Sequence, residues 1–385
     1  MNLRYKPDRH FKLNMHGAFG YGIINWFTVL YNNKFKIQFS AIPKVLWITM
    51  AILSTHVFRL FEKLRYTRAV KKVKIKEPIF IVGYPRSGTT FLHYLMSKDE
   101  RFSYGATYQV LMPNIFLSLG SSIVKIMKNF LPKTRLIDNM KMGSNLPKEE
   151  EFAISAMSDA SIVNGFYFPQ NLWTYLRRYV MFEDDEKYAR EWKKKMYFFL
   201  QKLNYKSPEK QLLLKSPFNT ARIQQILEMF PDAKFIHIHR NPYEVYYSNE
   251  KLYETLMPLF AFHEVDNRFM EEFIFDSYKQ VYGKYIDSLS LIPEGRLTTI
   301  SYEDLVNDPI SLLRKVYKDL DIDDFESASP QIEFELSSYK DYKTNEHYMT
   351  EEVKKRIRQE WAAYFEEFGY VSTPKVKLSP SLKAV

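Results

Sequence analysis

The stretch GYPRSGTT, residues 83–90, constrains this chain more than any other eight residues. It closes the apolar run PIFIVG (78–83) and opens TTFLHYLMSK, which reads as a helix. A short unbroken apolar run ended by glycine is expected of a strand buried on both faces of a parallel sheet. Gly83 and Gly88 have the spacing of a phosphate-cradling loop, in which backbone N–H groups converge on an anion at a helix N-terminus. Loops that hold nucleoside triphosphates carry a lysine after the second glycine. Here Thr89 stands in that place, and a cation, Arg86, lies inside the loop. Ser87, Thr89 and Thr90 add hydroxyl donors, and Arg86 offers a planar, permanently charged fork.

The alternation continues downstream. QLLLKS (211–216), AKFIHIHR (233–240) and the start of RLTTISYEDL (296–305) read as further strands. NTARIQQILEMF (219–230) reads as a helix capped by Asn219 or Thr220, and the segment from Pro242 as a helix with proline in its first turn. Residues 351–368 have the pattern of one long charged amphipathic helix. Together these predict an α/β fold, a P-loop-like parallel sheet flanked by helices, with ligands at the carboxyl ends of the strands. Residues 103–205 break the rhythm as a mostly helical insertion rich in Met, Tyr and Phe, expected to build the substrate side of a site.

Composition narrows the chemistry. The chain has no cysteine, which excludes disulfides, thiolate zinc sites and cysteine nucleophiles. Its eight histidines lack ligand spacing, so no metal is expected. The net charge of +10 suits an anionic ligand or an anionic membrane surface. No basic, aromatic-interleaved module points to nucleic acid. The N-terminus has no apolar core after its charges and does not read as a secretory signal. Val45–Val57 is apolar but falls short of the ~18 residues a spanning helix needs. Residues 59–76 then carry eight Lys and Arg against one Glu. This is either a core helix followed by a solvated face, or an interfacial helix with a polybasic patch, placing residues 37–76 on the inner membrane leaflet. Both readings keep the body of the protein in the cytoplasm.

The motifs YPRSGTT, LLLKSP, HRNPYEVYYS and YEDLVNDP, in this order between residues 78 and 370, resemble the sulfotransferases that use 3′-phosphoadenosine 5′-phosphosulfate (PAPS), in the bacterial branch whose loop reads PRSGTT. The chain is expected to divide into a helical N-terminal segment over 1–76, the one that either packs on the core or rests on a membrane, a sulfotransferase domain over 77–372 and a tail over 373–385. The resemblance implies a metal-free enzyme that moves a sulfuryl group from PAPS to the hydroxyl of a small acceptor and releases 3′-phosphoadenosine 5′-phosphate (PAP). By the same resemblance Pro85, Arg86, Ser87, Gly88, Thr89 and Thr90 cradle the 5′-phosphosulfate. Arg240 and Ser248 bind the 3′-phosphate, and Tyr302 lies near the adenine. The R-K-G motif of animal members is missing, and Lys340 or Lys343 of YKDYKTNEHY stands in roughly its place.

Sulfuryl transfer in line requires positioning, stabilisation of the departing oxygen and a base for the acceptor hydroxyl. Arg86 is placed to meet that oxygen; Lys215, at a strand end, either assists or points to solvent. The segment LPKEEEFAIS (146–155) resembles the acidic P-x-E-x-E-F segment of the bacterial branch, in which Glu149 and Glu151 fit the pattern. Helical neighbours lie ~100° apart, so the three glutamates cannot share one site. Glu151, beside Phe152 and with a pKa raised by apolar walls, is the expected base, and Glu149 the second choice. A plain acidic helix N-terminus competes with both, and His93, His237 and His239 are rival bases. Aromatic stretches at 163–176 and 253–263 favour a hydrophobic alcohol, a sterol or other lipid, with a carbohydrate as the rival acceptor. A P-loop kinase and a non-catalytic membrane-associated nucleotide-binding protein are the remaining alternatives.

Overall fold

The computed structural model describes residues 4–7, 17–135, 137–138, 140–339 and 349–371. Among these residues seven strands form in chain order: β1 (Arg4–Tyr5), β2 (Ile79–Val82), β3 (Phe102–Ser103), β4 (Gln211–Lys215), β5 (Lys234–His239), β6 (Val265–Asp266) and β7 (Leu297–Ser301). Five make a parallel sheet in the order β3-β4-β2-β5-β7, and β1 pairs antiparallel with β6. Every residue of β2 is buried, and its side chains alternate between layers. Phe80 and Val82 join one core with Leu212 and Leu214, while Ile79 and Ile81 join a second with Leu92, Leu213 and Ile236. Period-two alternation of apolar residues into two covered faces is why the strand sequence reads as one continuous apolar run.

Differences from the sequence expectations have local causes. The strand β3 has two residues and no legible pattern; it lies at the edge and opens the insertion. The helix expected over 219–230 covers only Ile223–Met229, after a 3₁₀ turn at Pro217–Ala221. Neither Asn219 nor Thr220 caps it, because their side chains are engaged elsewhere: Asn219 donates to Glu150 at 2.7 Å, and Thr220 Oγ1 accepts from the Gly83 N–H at 2.7 Å. The helix expected over 351–368 is two, Glu351–Glu360 and Ala362–Glu367, parted at Trp361, whose buried ring stacks on Tyr278 at 3.8 Å.

The N-terminal segment forms α1 (Ile23–Asn32), α2 (Ile42–Ser54) and α3 (His56–Val70). Trp26, Val29, Ile48 and Ile52 pack with Tyr167, Phe168 and Phe262, so α1 and α2 share a core with the insertion. The helix α3 is also fastened by charge. Glu62 pairs with Lys202 at 2.5 Å and accepts from the backbone and hydroxyl of Ser118 at 2.8 and 3.1 Å. Burial lowers the Lys202 pKa, and Glu62 opposes that shift. The opposite faces of α2 and α3 remain open: Leu46, Met50 and Leu53, and Val57, Phe61 and Leu64, form exposed stripes at i, i+4, i+7 spacing. Seven of the eight cations between 59 and 76 are exposed with them, and Arg59 turns inward to the Phe19 carbonyl. Among the described residues no single helix is long and apolar enough to cross a membrane.

Removing one partner from a buried pair leaves the other charge uncompensated, which costs about 3–5 kcal/mol. Glu62→Gln is expected to lower the unfolding free energy by about that amount in a urea titration, and the double change Glu62→Leu with Lys202→Met to recover most of it.

Candidate active site

The carboxyl ends of β2, β4, β5 and β7 converge on the loop that runs from Gly83 into α4 (Thr89–Met96). Gly83 has φ +150°, and a Cβ there would sit 2.2 Å from the Ile238 carbonyl oxygen of β5. Gly88 has φ +95°, and a Cβ there would lie 2.3 Å from the Tyr302 ring. The missing side chain lets that ring rest on the loop. Asn249, from the helix Pro242–Phe260, donates to the Pro85 carbonyl at 2.9 Å. Arg86 itself has φ +75°, a left-handed conformation that costs a non-glycine residue about 1–2 kcal/mol and here aims the guanidinium across the loop.

Arg86 Nε donates to Ser248 Oγ at 2.8 Å. The Arg240 guanidinium lies 4.5 Å from the centre of the Tyr302 ring and pairs with Glu244 at 3.1 Å. Pro85, Arg86, Gly88, Thr89, Thr90, Arg240, Ser248 and Tyr302 thus line one cavity of about 950 Å³, with Lys215 and Glu149. Ser87 is fully buried and outside that lining. Lys340 and Lys343 lie outside the described residues.

The three glutamates end in three different places. Glu149, ahead of the helix Glu151–Met157, faces the cavity and takes the Lys215 ammonium at 2.5 Å. Lys215 does not point to solvent: its side chain is 3% exposed and also donates to Thr90 Oγ1 at 3.2 Å. Burial alone would raise the Glu149 carboxyl, but Lys215, Lys148 and Arg135 outweigh it and hold it below the ordinary value. Glu150 accepts from the Lys215 N–H at 3.1 Å and from Asn219, and burial pushes it up to about 7. Glu151 does not line the cavity. Its carboxylate is closed into a two-point pair with the fully buried Arg222, at 2.5 and 3.2 Å, and accepts from Ser161 at 2.7 Å. The two glutamates expected to compete for one role are therefore set apart. Glu151 sits sealed behind the site, and Glu149 is the carboxylate at the cavity.

The histidines are set apart from the cavity as well. His93 is buried under the β4 backbone, with burial lowering its pKa to about 3. His237 is buried and stacks on Tyr285 at 4.3 Å, and His239 stacks on Phe368 at 4.8 Å.

Three charged residues at the cavity carried no signal in the sequence. Arg135 donates to Thr90 Oγ1 at 3.3 Å, Asp138 accepts from Arg86 at 2.8 Å, and Lys148 lies 4.5 Å from the Phe152 ring centre. Burial brings the Lys148 ammonium down to about 8. Arg86, Arg135 and Lys215 thus gather around the first turn of α4, beside two carboxylates held ionised, Glu149 and Asp138. Such a site can hold an anion, stabilise a departing oxygen and accept a proton. The remaining walls are mainly apolar, including Met112, Phe166 and Leu256, and reach Trp47 of α2 and Ile126, both exposed at the surface.

A model of the sulfotransferase family matches residues 78–327. The chain belongs to this family. It is 30% identical over 346 residues to the omega-hydroxy-beta-dihydromenaquinone-9 sulfotransferase Stf3 of Mycobacterium bovis, covering 90% of this chain and 89% of that one. The same identity and coverage hold for Stf3 of Mycobacterium tuberculosis. Among solved structures, this sulfotransferase resembles STF9 of Mycobacterium avium, with a TM-score of 0.60 and 19% identity over 82% of each chain. It also resembles STF1 of Mycobacterium tuberculosis, with a TM-score of 0.59 and 15% identity over 90% of this chain and 94% of that one. At those identities the likeness is one of fold. The enzyme's sheet, with its helical insertion, is the sulfotransferase fold.

Glu150 gives the enzyme a pH-dependent stability. Its carboxyl ionises near 4.5 when unfolded and about 7 when folded, so its contribution is full below about pH 4.5 and is lost as pH rises through about 7. Asp159, raised by burial to about 6, acts in the same direction. Glu150→Gln is expected to remove roughly 3 kcal/mol of the wild-type decline between about pH 4.5 and pH 8, measured by urea unfolding. An identical decline in both proteins would place the titration elsewhere.

Proposed function

We propose that this enzyme takes its sulfuryl group from PAPS and passes it to the hydroxyl of a lipid acceptor held in the apolar part of the cavity. One observation carries the reading. A single cavity joins the anion cradle, Lys215 and Glu149 to long apolar walls that surface at Trp47 and Ile126. A carbohydrate would need polar partners along those walls. The acceptor named for the relatives at 30% identity, an omega-hydroxylated dihydromenaquinone, is a lipid alcohol of this kind.

The residues present suit the donor. The two glycines let the loop pack closely on Ile238 and Tyr302, and Arg86, Thr89 and Thr90 would hold the 5′ side. Arg240 and Ser248 would hold the 3′-phosphate, with Tyr302 beside the base. When bound, PAPS supplies a sulfuryl group that moves to the acceptor oxygen as the S–O bond to the phosphate breaks, leaving PAP. Arg86 and Lys215 stabilise the charge that grows on the phosphate side. Glu149 takes the acceptor's proton. Its low pKa keeps it ionised at neutral pH, and the hold of Lys215 is shared. As that ammonium turns toward charge on the loop, its grip on Glu149 relaxes and the carboxylate becomes a stronger base.

Glu149→Gln is expected to lower turnover about 10²- to 10⁴-fold while calorimetric PAP affinity stays within a few-fold. Glu151→Gln should instead lower stability, with turnover per folded molecule largely retained. The opposite pattern would return the base to Glu151.

The exposed stripes of α2 and α3, with the cations of 59–76 around them, support a peripheral seat on an anionic bilayer from which the acceptor enters at Trp47. Vesicles containing anionic lipid should sediment the enzyme, and neutral vesicles far less. Leu46→Glu with Met50→Glu should abolish sedimentation, and unchanged binding would rule this face out.

A further inference from the structure

Asp138 occupies an unusual place for an acidic residue. Its carboxylate sits beside the loop's Arg86, one oxygen taking that guanidinium at 2.8 Å. The other oxygen lies 3.4 Å from Arg135 Nε. Arg135 reaches on to Thr90 Oγ1, which also receives Lys215. Burial would raise the Asp138 carboxyl, but Arg135 and Arg86 outweigh it and keep the group ionised. Both residues lie on the connection between the helix Phe116–Phe130 and the glutamate segment. That connection is secured by a bridge between Thr134 and Lys141 and by the Tyr94 hydroxyl on the Lys141 carbonyl at 3.1 Å. A carboxylate here cancels part of the positive charge that an anionic ligand of the loop would use.

We infer that Asp138 is a built-in anion that holds the 5′ charge site of the resting enzyme. Binding of the donor requires it to give way, and its departure hands both Arg86 and Arg135 to the phosphosulfate. The inference rests on the PAPS reading. In it Asp138 reduces cofactor affinity, since only the fraction of molecules with the carboxylate withdrawn can bind. Arg135 becomes a ligand of the 5′ group, supplied by the insertion and absent from the motifs that mark the loop. Loading the donor would then reposition the segment that leads directly into Glu149, so that the base is set only after the cofactor is in place.

The test compares two ligands by calorimetry on the full chain: PAP, which carries the 5′-phosphate, and adenosine 3′-monophosphate, which lacks it. Asp138→Asn should tighten PAP about five- to tenfold and leave the monophosphate unchanged. Asp138→Ala should act in the same direction. Arg135→Gln should weaken PAP and likewise spare the monophosphate. Unchanged PAP affinity in both Asp138 variants, or equal shifts for the two ligands, overturns the inference. Failure of the wild-type enzyme to bind PAP at all overturns the cofactor reading instead.

Discussion

Three consecutive glutamates tie the helical insertion to the sheet, and each does so through a different partner. Glu149 meets the Lys215 ammonium, Glu150 the Lys215 backbone and Asn219, and Glu151 the Arg222 guanidinium. The insertion is thereby locked to the end of β4 and to the turn that follows. The same turn supplies Thr220 to the Gly83 N–H, so the loop and the insertion hang from one short stretch of backbone. Charge in this region is expensive to bury and is tolerated because each group has a defined counterpart. Only Glu149, the least enclosed of the three, is left facing the cavity.

The loop, the buried strands and the placing of Arg240 and Ser248 on one cavity were legible because their signals are local: a glycine spacing, an apolar run, a strand end followed by a helix start. The places of the glutamates were not. The rule of ~100° per residue applies inside a helix, but the helix begins at Glu151, with Glu149 in the irregular segment ahead of it. The partner that claims Glu151 is Arg222, 71 residues away in sequence and unmarked by any motif. Arg135 and Asp138 were invisible for the same reason. The aromatic richness that suggested a pocket also builds ordinary core, as the Trp361–Tyr278 stack shows.

The apolar run from Val45 to Val57 resolves an ambiguity that composition left open. One face of α2, with Val45, Ile48 and Ile52, belongs to the core, while Leu46, Met50 and Leu53 face outward. Core packing and surface exposure are thus two sides of one helix. The adjoining α3 places its cations beside its own exposed apolar stripe. The apolar walls of the cavity thus run from the exposed Trp47 of α2 to its charged end.

The Glu62–Lys202 pair constrains how such a chain can change over generations. A domain of this kind holds a margin of about 5–15 kcal/mol, and losing either partner alone consumes a large part of it. A lineage can therefore exchange the pair for an apolar contact only by two changes close together, or through an intermediate that survives on stability gained elsewhere. The attachment of the N-terminal helices is in that sense inherited as a unit, and drift at one position is recorded at the other.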